Sequence, residues 1–227
     1  MNRNDKLIIE PNHPNLILTE GADAYYFLCN YCNHIIHTNK HFENFKIYNY
    51  GGINELTRFL YMLTKIENFN IVKSISIIRD AESNGMNAIK SIKTSLKAAN
   101  LACPDELFIK KIDKKSKYPN IMTGYILFPD CNSTPTNGTL ENLCLKQLAD
   151  KEADKKLKEI DQFLDKYKTT LPRIHKNQLH SYFSLTDQFV SLKIGEAARA
   201  NAFNLDDGPI NNINKFLMQF IDENTNS

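Results

Sequence analysis

Acidic residues directly follow two separate strand-like runs of this chain. Glu20 comes after the apolar run at residues 15–19, and Asp80 and Glu82 come after the run at residues 75–79. The ends of neighbouring parallel strands meet at one edge of an open α/β sheet, where ligands usually bind. Carboxylates gathered there repel one another unless a cation lies between them, and a hard divalent cation such as Mg²⁺ meets that need. The spacing therefore predicts a metal site at the edge of a sheet.

A structural interpretation competes with the metal site at each cluster. Acidic side chains at strand-to-helix turns also cap helices and complement the positive helix N-terminus. Gly21 and Gly85 fit both interpretations, because a glycine lets a ligand approach the backbone or simply forms a turn. The joint occurrence of Glu20 after one strand and of Asp80 with Glu82 after another favours the metal site.

The elements that must position these side chains alternate between strand-like and helix-like segments over the first 130 residues. This alternation predicts βαβ units and an α/β fold with a mainly parallel sheet flanked by helices. Strands are predicted at residues 15–20, 46–50, 73–79, 107–109 and 121–128. Helices in the same part of the chain are predicted at residues 22–36, from about residue 54, and at 86–99.

The character of the chain changes after residue 129. Residues 129–138 are rich in turn-forming residues, and every later predicted element is a helix: 139–149, 151–168, 175–184, 187–200 and 209–222. A second sizeable core would need more chain than remains. We therefore expect an α/β core at residues 13–130 and a helical C-terminal extension at residues 131–227, which pack as a single compact unit.

Composition narrows the class of protein. The 227 residues are 42% hydrophobic and 24% charged, which is typical of a soluble globular protein with a hydrophobic core. No apolar stretch is long enough to span a bilayer, and the polar start Met1–Lys6 shows no secretory signal. Five cysteines, an odd number, favour reduced thiols and predict a cytoplasmic location.

One segment concentrates positive charge. The formal net charge of +2 is too small to indicate nucleic-acid binding by itself, so a polyanion would need a local cluster of lysines. The densest cluster is the segment at residues 110–117, called here the basic run, whose lysines are Lys110, Lys111, Lys114, Lys115 and Lys117. These five lysines could neutralise phosphates and give salt-dependent affinity for nucleic acid. A solvated loop that protects an edge strand from aggregation explains them equally well.

Thiols and imidazoles also occur close together. Cys29, Cys32, His34 and His37 are the residue types that bind zinc, but their spacing is more compressed than in ordinary zinc-finger patterns. The two cysteines lie on the helix predicted after the first strand and fit its apolar face. We favour the structural interpretation over a zinc site.

The acidic clusters and the residues around them resemble the TOPRIM domain. That domain is shared by topoisomerases, bacterial primases, recombination-mediator proteins and OLD-type nucleases. The resemblance covers about residues 13–130 and rests on the pieces at residues 18–23, 51–52 and 77–82. It implies a Rossmann-like parallel sheet. Glu82 stands where the family usually has a second Asp, which keeps the charge and changes the reach of the side chain.

The resemblance implies a set of metal ligands. Glu20, Asp80 and Glu82 would hold one or two Mg²⁺ or Mn²⁺ ions. Asp23 lies about one helical turn after Glu20, on the same side of the predicted helix, and could join them. Two such ions could polarise a phosphate, generate a hydroxide nucleophile and stabilise the leaving oxygen.

Two later residues extend the resemblance to small stand-alone TOPRIM proteins related to OLD-type nucleases. The segment around Gly138 and Glu141 and the region of Lys176 carry it, and they imply a further acidic ligand and a lysine that opposes charge developing on the phosphate. Each residue also has a simpler interpretation. Glu141 lies where an acid complements a helix N-terminus, and Lys176 fits a solvated surface lysine.

The resemblance predicts a metal-dependent phosphodiesterase, most simply a nuclease that acts on DNA or RNA. The chain lacks a P-loop, so the ATPase that OLD-type nucleases carry or recruit would be a separate protein. A role in anti-phage defence is a further implication, and a homo-oligomer stays open. The alternative is a module that binds nucleic acid or protein without cleaving it, as in recombination mediators. A receiver-like signalling domain fits poorly, because its acidic pair follows the first strand.

Overall fold

The computed structural model describes residues 7–171 and 173–221. The polar start at residues 1–6 lies outside these residues. So do residues 222–227, which include the predicted end of the last helix and the final residues of the C-terminal extension. The described part of the chain is an α/β fold with a four-stranded parallel sheet flanked by helices, and it is compatible with a Rossmann-like fold.

The sheet confirms the predicted α/β class and the parallel arrangement. Its strands are β1 (Asn15–Thr19), β2 (Phe45–Asn49), β3 (Ser74–Asp80) and β4 (Met122–Phe128). The order across the sheet is β2-β1-β3-β4, and every neighbouring pair is parallel. β1 and β3 lie side by side, with Thr19 opposite Ile78. The two predicted acidic clusters therefore follow adjacent strands at the same edge.

Helices cover both faces of the sheet. They are α1 (Gly21–Ile36), α2 (Leu56–Leu63), α3 (Gly85–Ala98), α4 (Leu140–Lys146), α5 (Ala153–Leu164), α6 (Ile174–Ser184), α7 (Ile194–Arg199) and α8 (Asn211–Met218). Short 3₁₀ turns lie at Lys40–Asn44, Phe69–Ile71, Asp165–Tyr167 and Gly208–Ile210. None of the helices within the described residues is long and apolar enough to cross a membrane.

The strands divide the hydrophobic core into two clusters because successive side chains of a strand point to opposite faces. Ile75 and Ile77 of β3 pack with α2 and α3 on one face. Ile78 packs on the other face in a cluster that also contains buried residues of α1 and of every helix from α4 to α8. The C-terminal helices thus share their core with the sheet.

The predicted strand at residues 107–109 is wrong. Phe108 has a left-handed backbone (φ 66°), and its N–H donates to the carbonyl of Tyr125, whereas Lys111 forms a single antiparallel bridge with Thr123. A residue in the left-handed region interrupts the extended conformation that a strand needs. The segment therefore runs irregularly along β4 and adds no strand.

Several predicted helices are too long, and the one predicted at residues 139–149 spans only Leu140–Lys146. The helix predicted at residues 187–200 begins only at Ile194, since the preceding segment forms turns and Ser191 has a φ of 67°. The helix predicted at residues 151–168 ends at Leu164 and continues as the 3₁₀ turn Asp165–Tyr167. Apolar periodicity identified these segments, but it does not mark where a helix begins or ends.

Candidate functional site

One cleft lies at the carboxyl ends of β1 and β3. Its volume is about 630 Å³, which is within the usual range for small-molecule sites. The cleft, called here the acidic cleft, is lined by all six residues that the sequence predicted for a metal site and its lysine: Glu20, Asp23, Asp80, Glu82, Glu141 and Lys176. The structure thus brings these six residues together. Their roles remain predictions.

Glu20 occupies the first position before α1 but does not cap that helix. Its side chain makes no hydrogen bond to the helix N-terminus. One oxygen, Oε2, instead lies 3.0 Å from Nη2 of Arg79 and 3.5 Å from the hydroxyl of Tyr50. Burial raises the pKa of Glu20, and the Arg79 guanidinium opposes that rise.

Asp80 ends β3 and is fixed by the backbone of a distant helix. Its Oδ1 accepts a 2.8 Å hydrogen bond from the N–H of Leu140, the first residue of α4. Burial, together with the nearby negative charges of Glu141, Glu82 and Glu20, raises the pKa of Asp80 to about 7, although the Leu140 hydrogen bond opposes this. The carboxyl groups of Glu20, Glu82 and Glu141 therefore interact electrostatically with that of Asp80.

Glu82 lies in a loop that is tied to the loop before α4. Its N–H donates to the carbonyl of Gly138 at 2.9 Å, and its own carbonyl accepts from the N–H of Gly138 at 2.8 Å. Glu82 has a φ of 58°, a conformation that costs a non-glycine residue free energy. Gly85 must be a glycine, because a Cβ there would lie 2.5 Å from the carbonyl oxygen of Thr136. The two loops therefore hold Asp80 and Glu82 on one wall.

Lys176 closes the opposite side of the acidic cleft. It lies near the start of α6, and its Nζ is 3.6 Å from Asp23 of α1 and 3.8 Å from Glu141 of α4. Lys176 is 37% exposed and Glu141 only 13%, so this lysine is partly withdrawn from solvent. This lysine therefore faces two carboxylates while part of its side chain stays in solvent.

The helix-capping interpretation holds for only one of the acids after the strands. The N-terminus of α3 is capped by Asn84, whose side chain accepts from the N–H of Asn87. The N-terminus of α4 is capped by Thr139 and Asn142, with Asp80 accepting the N–H of Leu140 in addition. Capping thus accounts for one oxygen of Asp80 and leaves Glu20 without a capping role.

The residues of the acidic cleft suit a hard cation by their chemistry. Five carboxylates supply only oxygen donors, the ligand type that Mg²⁺ and Mn²⁺ prefer. Among the described residues, no three His, Cys, Asp or Glu side chains stand close enough to hold a metal ion as they lie. Binding would therefore require the side chains of Glu82 and Glu141 to turn toward Asp80 and Glu20. Each glutamate has the rotatable bonds for such a movement.

Several residues of the site were missed by the sequence analysis. Arg79 and Tyr50 hold Glu20, and Arg173 and His175 line the cleft beside Lys176. One signal for Arg79 was available, because it is a charged residue directly after the apolar pair Ile77 and Ile78 of a buried strand. The others carry no local signal, since only the folding of distant segments brings them to Glu20.

The structure does not bring the basic run to the acidic cleft. Lys111, Lys115 and Lys117 line a separate hollow of about 420 Å³ together with Lys93 and Lys97 of α3. The 14 residues of α3 begin beside the acidic cleft at Gly85 and end near this hollow. Lys93 and Lys97 come 8 and 12 residues after Gly85, which is about 12 and 18 Å along the helix axis. Lys110 instead donates to the carbonyl of Gln219, and Lys114 does not line the hollow.

The zinc hypothesis is not supported. Cys32 is buried in the hydrophobic cluster of α1, as the apolar-face interpretation predicts. His34 faces Asp206, with 2.7 Å between Nε2 and Oδ1. Cys29, Cys32, His34 and His37 are all described, and no three of them converge as metal ligands. All five cysteines are free thiols.

The comparisons with known proteins identify a family but no activity. A family model described as "Protein of unknown function (DUF3226)" matches residues 14–222. No curated protein and no solved structure matches the chain. The matched residues span the whole acidic cleft, from Glu20 to Lys176. The description assigns no chemistry, so the resemblance to TOPRIM proteins stays a prediction.

Proposed function

We propose that this chain, which belongs to the DUF3226 family, is a metal-dependent phosphodiesterase of the TOPRIM type, a nuclease that cleaves DNA or RNA. One observation carries the proposal. Five carboxylates and one lysine, drawn from segments up to 156 residues apart in sequence (Glu20 to Lys176), line a single cleft at the carboxyl ends of adjacent parallel strands. That edge is where ligands bind in open α/β sheets.

Asp80 and Glu20 would hold the ion, because each is fixed by the protein through one oxygen and has a second oxygen left. Asp80 uses Oδ1 for the N–H of Leu140, and Glu20 uses Oε2 for Arg79. Glu82 and Glu141 act on Asp80 electrostatically and complete the donor set. A bound Mg²⁺ or Mn²⁺ would polarise the phosphate and lower the pKa of a bound water.

Lys176 would bind the phosphate itself. Its Nζ is held between Asp23 and Glu141 by contacts of 3.6 and 3.8 Å, which are too long for strong hydrogen bonds. With Glu141 engaged as a metal ligand, the lysine would be free to contact the substrate. A cation at this position stabilises the negative charge that develops on phosphoryl oxygens.

A second candidate function is a module that binds nucleic acid or protein without cleavage. The specific observation in its favour is that the cleft already contains internal counter-ions. Arg79 pairs with Glu20, and Lys176 pairs with Asp23 and Glu141, so part of the acidic charge is balanced without a metal. Under this hypothesis the cleft is a structural ion-pair network.

The proposal extends to the setting of the enzyme. The 227 residues contain no P-loop, so any ATPase activity that drives or regulates cleavage would come from outside them. We propose the cytoplasm as its location, where the five free thiols stay reduced and where DNA and RNA are present.

A cleavage assay tests the proposal. The purified protein is incubated with supercoiled plasmid, single-stranded DNA and total RNA, with Mn²⁺ or with EDTA. We expect cleavage of at least one substrate with Mn²⁺ and none with EDTA. Asp80→Asn keeps an oxygen for the N–H of Leu140 but loses the charge, so cleavage should fall about a thousandfold or more.

The matched control is Asp165→Asn, which removes a 71% exposed carboxylate that does not line the acidic cleft. This variant should cleave as well as the wild type. Retention of activity by Asp80→Asn would place the chemistry elsewhere. An absence of metal-dependent cleavage on every substrate would favour the binding module.

A further inference from the structure

Arg79 is the most unusual residue near the acidic cleft. It is only 1% exposed, although it carries a permanent positive charge, and it directly precedes Asp80 in β3. By the alternation of the strand, its side chain shares the face of Ile75 and Ile77, which belong to the hydrophobic cluster of α2 and α3. A guanidinium on this face needs a specific reason.

Among the described residues, the polar contacts of Arg79 lead to the two strand-end acids. Its Nη2 lies 3.0 Å from Oε2 of Glu20, and its Nε donates to the backbone carbonyl of Asp80 at 3.3 Å. The hydroxyl of Tyr50, which follows β2, donates to the same Oε2 of Glu20 at 3.5 Å. The third nitrogen, Nη1, is buried and has no hydrogen-bond partner among the described residues.

Stability does not account for this arrangement. Burying a charge is costly, and a buried ion pair can often be replaced by apolar residues of similar volume without loss of stability. An unsatisfied Nη1 adds to the cost. The arrangement does fix one atom, however, because Oε2 of Glu20 faces both a guanidinium and a hydroxyl, while Oε1 has no such partner among the described residues.

We propose that Arg79 and Tyr50 are positioning residues that commit one oxygen of Glu20 to the protein, so that Glu20 offers a cation a single oxygen and the cleft prefers Mg²⁺ or Mn²⁺ to Ca²⁺. Asp80 is restricted in the same way, since its Oδ1 is bound by the N–H of Leu140. This inference rests on the proposed metal site but not on cleavage.

Coordination chemistry links the committed oxygens to selectivity. Ca²⁺ takes six to eight oxygens and commonly binds carboxylates through both oxygens, whereas Mg²⁺ takes six at shorter distances and keeps several waters. Glu20 and Asp80 can each chelate with both oxygens only after the ion pair to Arg79 or the hydrogen bond to Leu140 is broken. That requirement penalises Ca²⁺ and leaves Mg²⁺ unaffected.

The experiment measures cation affinity without substrate. Titration calorimetry gives the dissociation constants of Mg²⁺, Mn²⁺ and Ca²⁺ for the wild type, Arg79→Met, Arg79→Lys and Tyr50→Phe. We expect the preference for Mg²⁺ over Ca²⁺, taken as the ratio of the two constants, to fall about tenfold in Arg79→Met, which loses a charge-assisted contact. Tyr50→Phe should lower the same ratio about threefold, because its contact is longer and uncharged.

Two further variants separate positioning from folding. Arg79→Lys keeps the charge and should retain part of the preference, which a purely structural loss would not do. Tyr48→Phe removes a hydroxyl from the same segment, one that donates to the carbonyl of Ile8 and not to the cleft, and should leave the ratio unchanged. Tyr50→Phe removes a single oxygen atom. It therefore still tests whether the contacts to Glu20 set the cation preference if Arg79→Met does not fold.

The outcomes distinguish this inference from the proposed function. Cation binding with an unchanged Mg²⁺-to-Ca²⁺ ratio in both Arg79→Met and Tyr50→Phe would overturn the role of Arg79 and Tyr50 and leave the metal site standing. An absence of binding by all three ions in the wild type would overturn the metal site, and this inference with it.

Discussion

The acidic cleft and the basic run lie at opposite ends of α3 and differ in what holds their charges. In the cleft, Asp80 is fixed by a backbone N–H and Glu20 by a buried guanidinium. In the basic run, Lys111 pairs with Asp105, which is 87% exposed. Exposed pairs of this kind contribute little free energy and are screened by salt. We therefore expect specific chemistry at the cleft and only a general attraction for anions at the basic run.

The two regions also differ in how firmly the backbone positions their charged side chains. Asp80 and Glu82 are held by loops whose backbones are bonded to each other, through Glu82 and Gly138. The lysines of the basic run extend into solvent from a segment that forms no strand. We expect substitutions in the cleft to change chemistry and metal binding, and substitutions in the basic run to change only the salt dependence of binding.

Among the tests that follow of the difference between the acidic cleft and the basic run, the largest change in cleavage is expected at Lys176. Lys176→Ala should lower cleavage about a hundredfold, the usual loss when a group that stabilises transition-state charge is removed. Affinity for Mg²⁺ should be unchanged or higher, because Asp23 and Glu141 lose a competing cation. Cleavage rates and calorimetric titrations of the same preparation check both statements. Weaker metal binding in Lys176→Ala would contradict the proposed role.

A second effect concerns the stability of the metal-free protein against pH. Burial and neighbouring carboxylates raise the pKa of Asp80 to about 7, well above its ordinary value of 3.8. The folded state then binds this proton more tightly than the unfolded state, so the resulting stabilisation is fully present below about pH 4 and is lost as the pH rises through about 7. Glu20 contributes in the same direction, because burial raises its pKa as well.

Chemical denaturation at pH 5 and pH 8, both with EDTA, measures that contribution. The difference in the free energy of unfolding between the two pH values should be smaller in Asp80→Asn than in the wild type by at least about 1.4 kcal/mol, which corresponds to a tenfold change in proton affinity. The same difference in both proteins would mean that Asp80 titrates normally.

The smallest effect is expected in the basic run. Replacing its five lysines with glutamine should reduce the salt dependence of binding to a long nucleic acid, by about one unit of slope for each lysine that contacts a phosphate. Cleavage of a short substrate should not change, because the hollow that contains Lys111 lies at the far end of α3 from the cleft. Loss of cleavage on short substrates would contradict the hypothesis that the basic run and the acidic cleft act independently.

The sequence predicted the sheet and the convergence of the acids because both follow from short-range patterns. Apolar runs at β1 and β3 identify the strands, and parallel strands necessarily bring Glu20 and Asp80 to one edge. The apolar face of α1 correctly predicted the burial of Cys32. These features depend on periodicity and strand direction, which a local segment contains.

The features that the sequence did not predict depend on long-range contacts. The ion pair between Arg79 and Glu20 requires β1 and β3 to be neighbours, and the hydrogen bond from Leu140 to Asp80 joins residues 60 positions apart. The wrong strand at residues 107–109 shows the same limit, because a left-handed Phe108 is fixed by its contact with Tyr125 and not by its own sequence. Local patterns do not contain this information.

The central claim is that the acidic cleft binds a divalent cation, and thermal unfolding with added Mg²⁺ tests it most directly. At a Mg²⁺ concentration about one hundred times the dissociation constant, the wild type and Asp165→Asn should unfold about 5–10 °C higher than with EDTA. The double variant Glu20→Gln with Asp80→Asn should show no increase. An equal increase in all three proteins would contradict the claim.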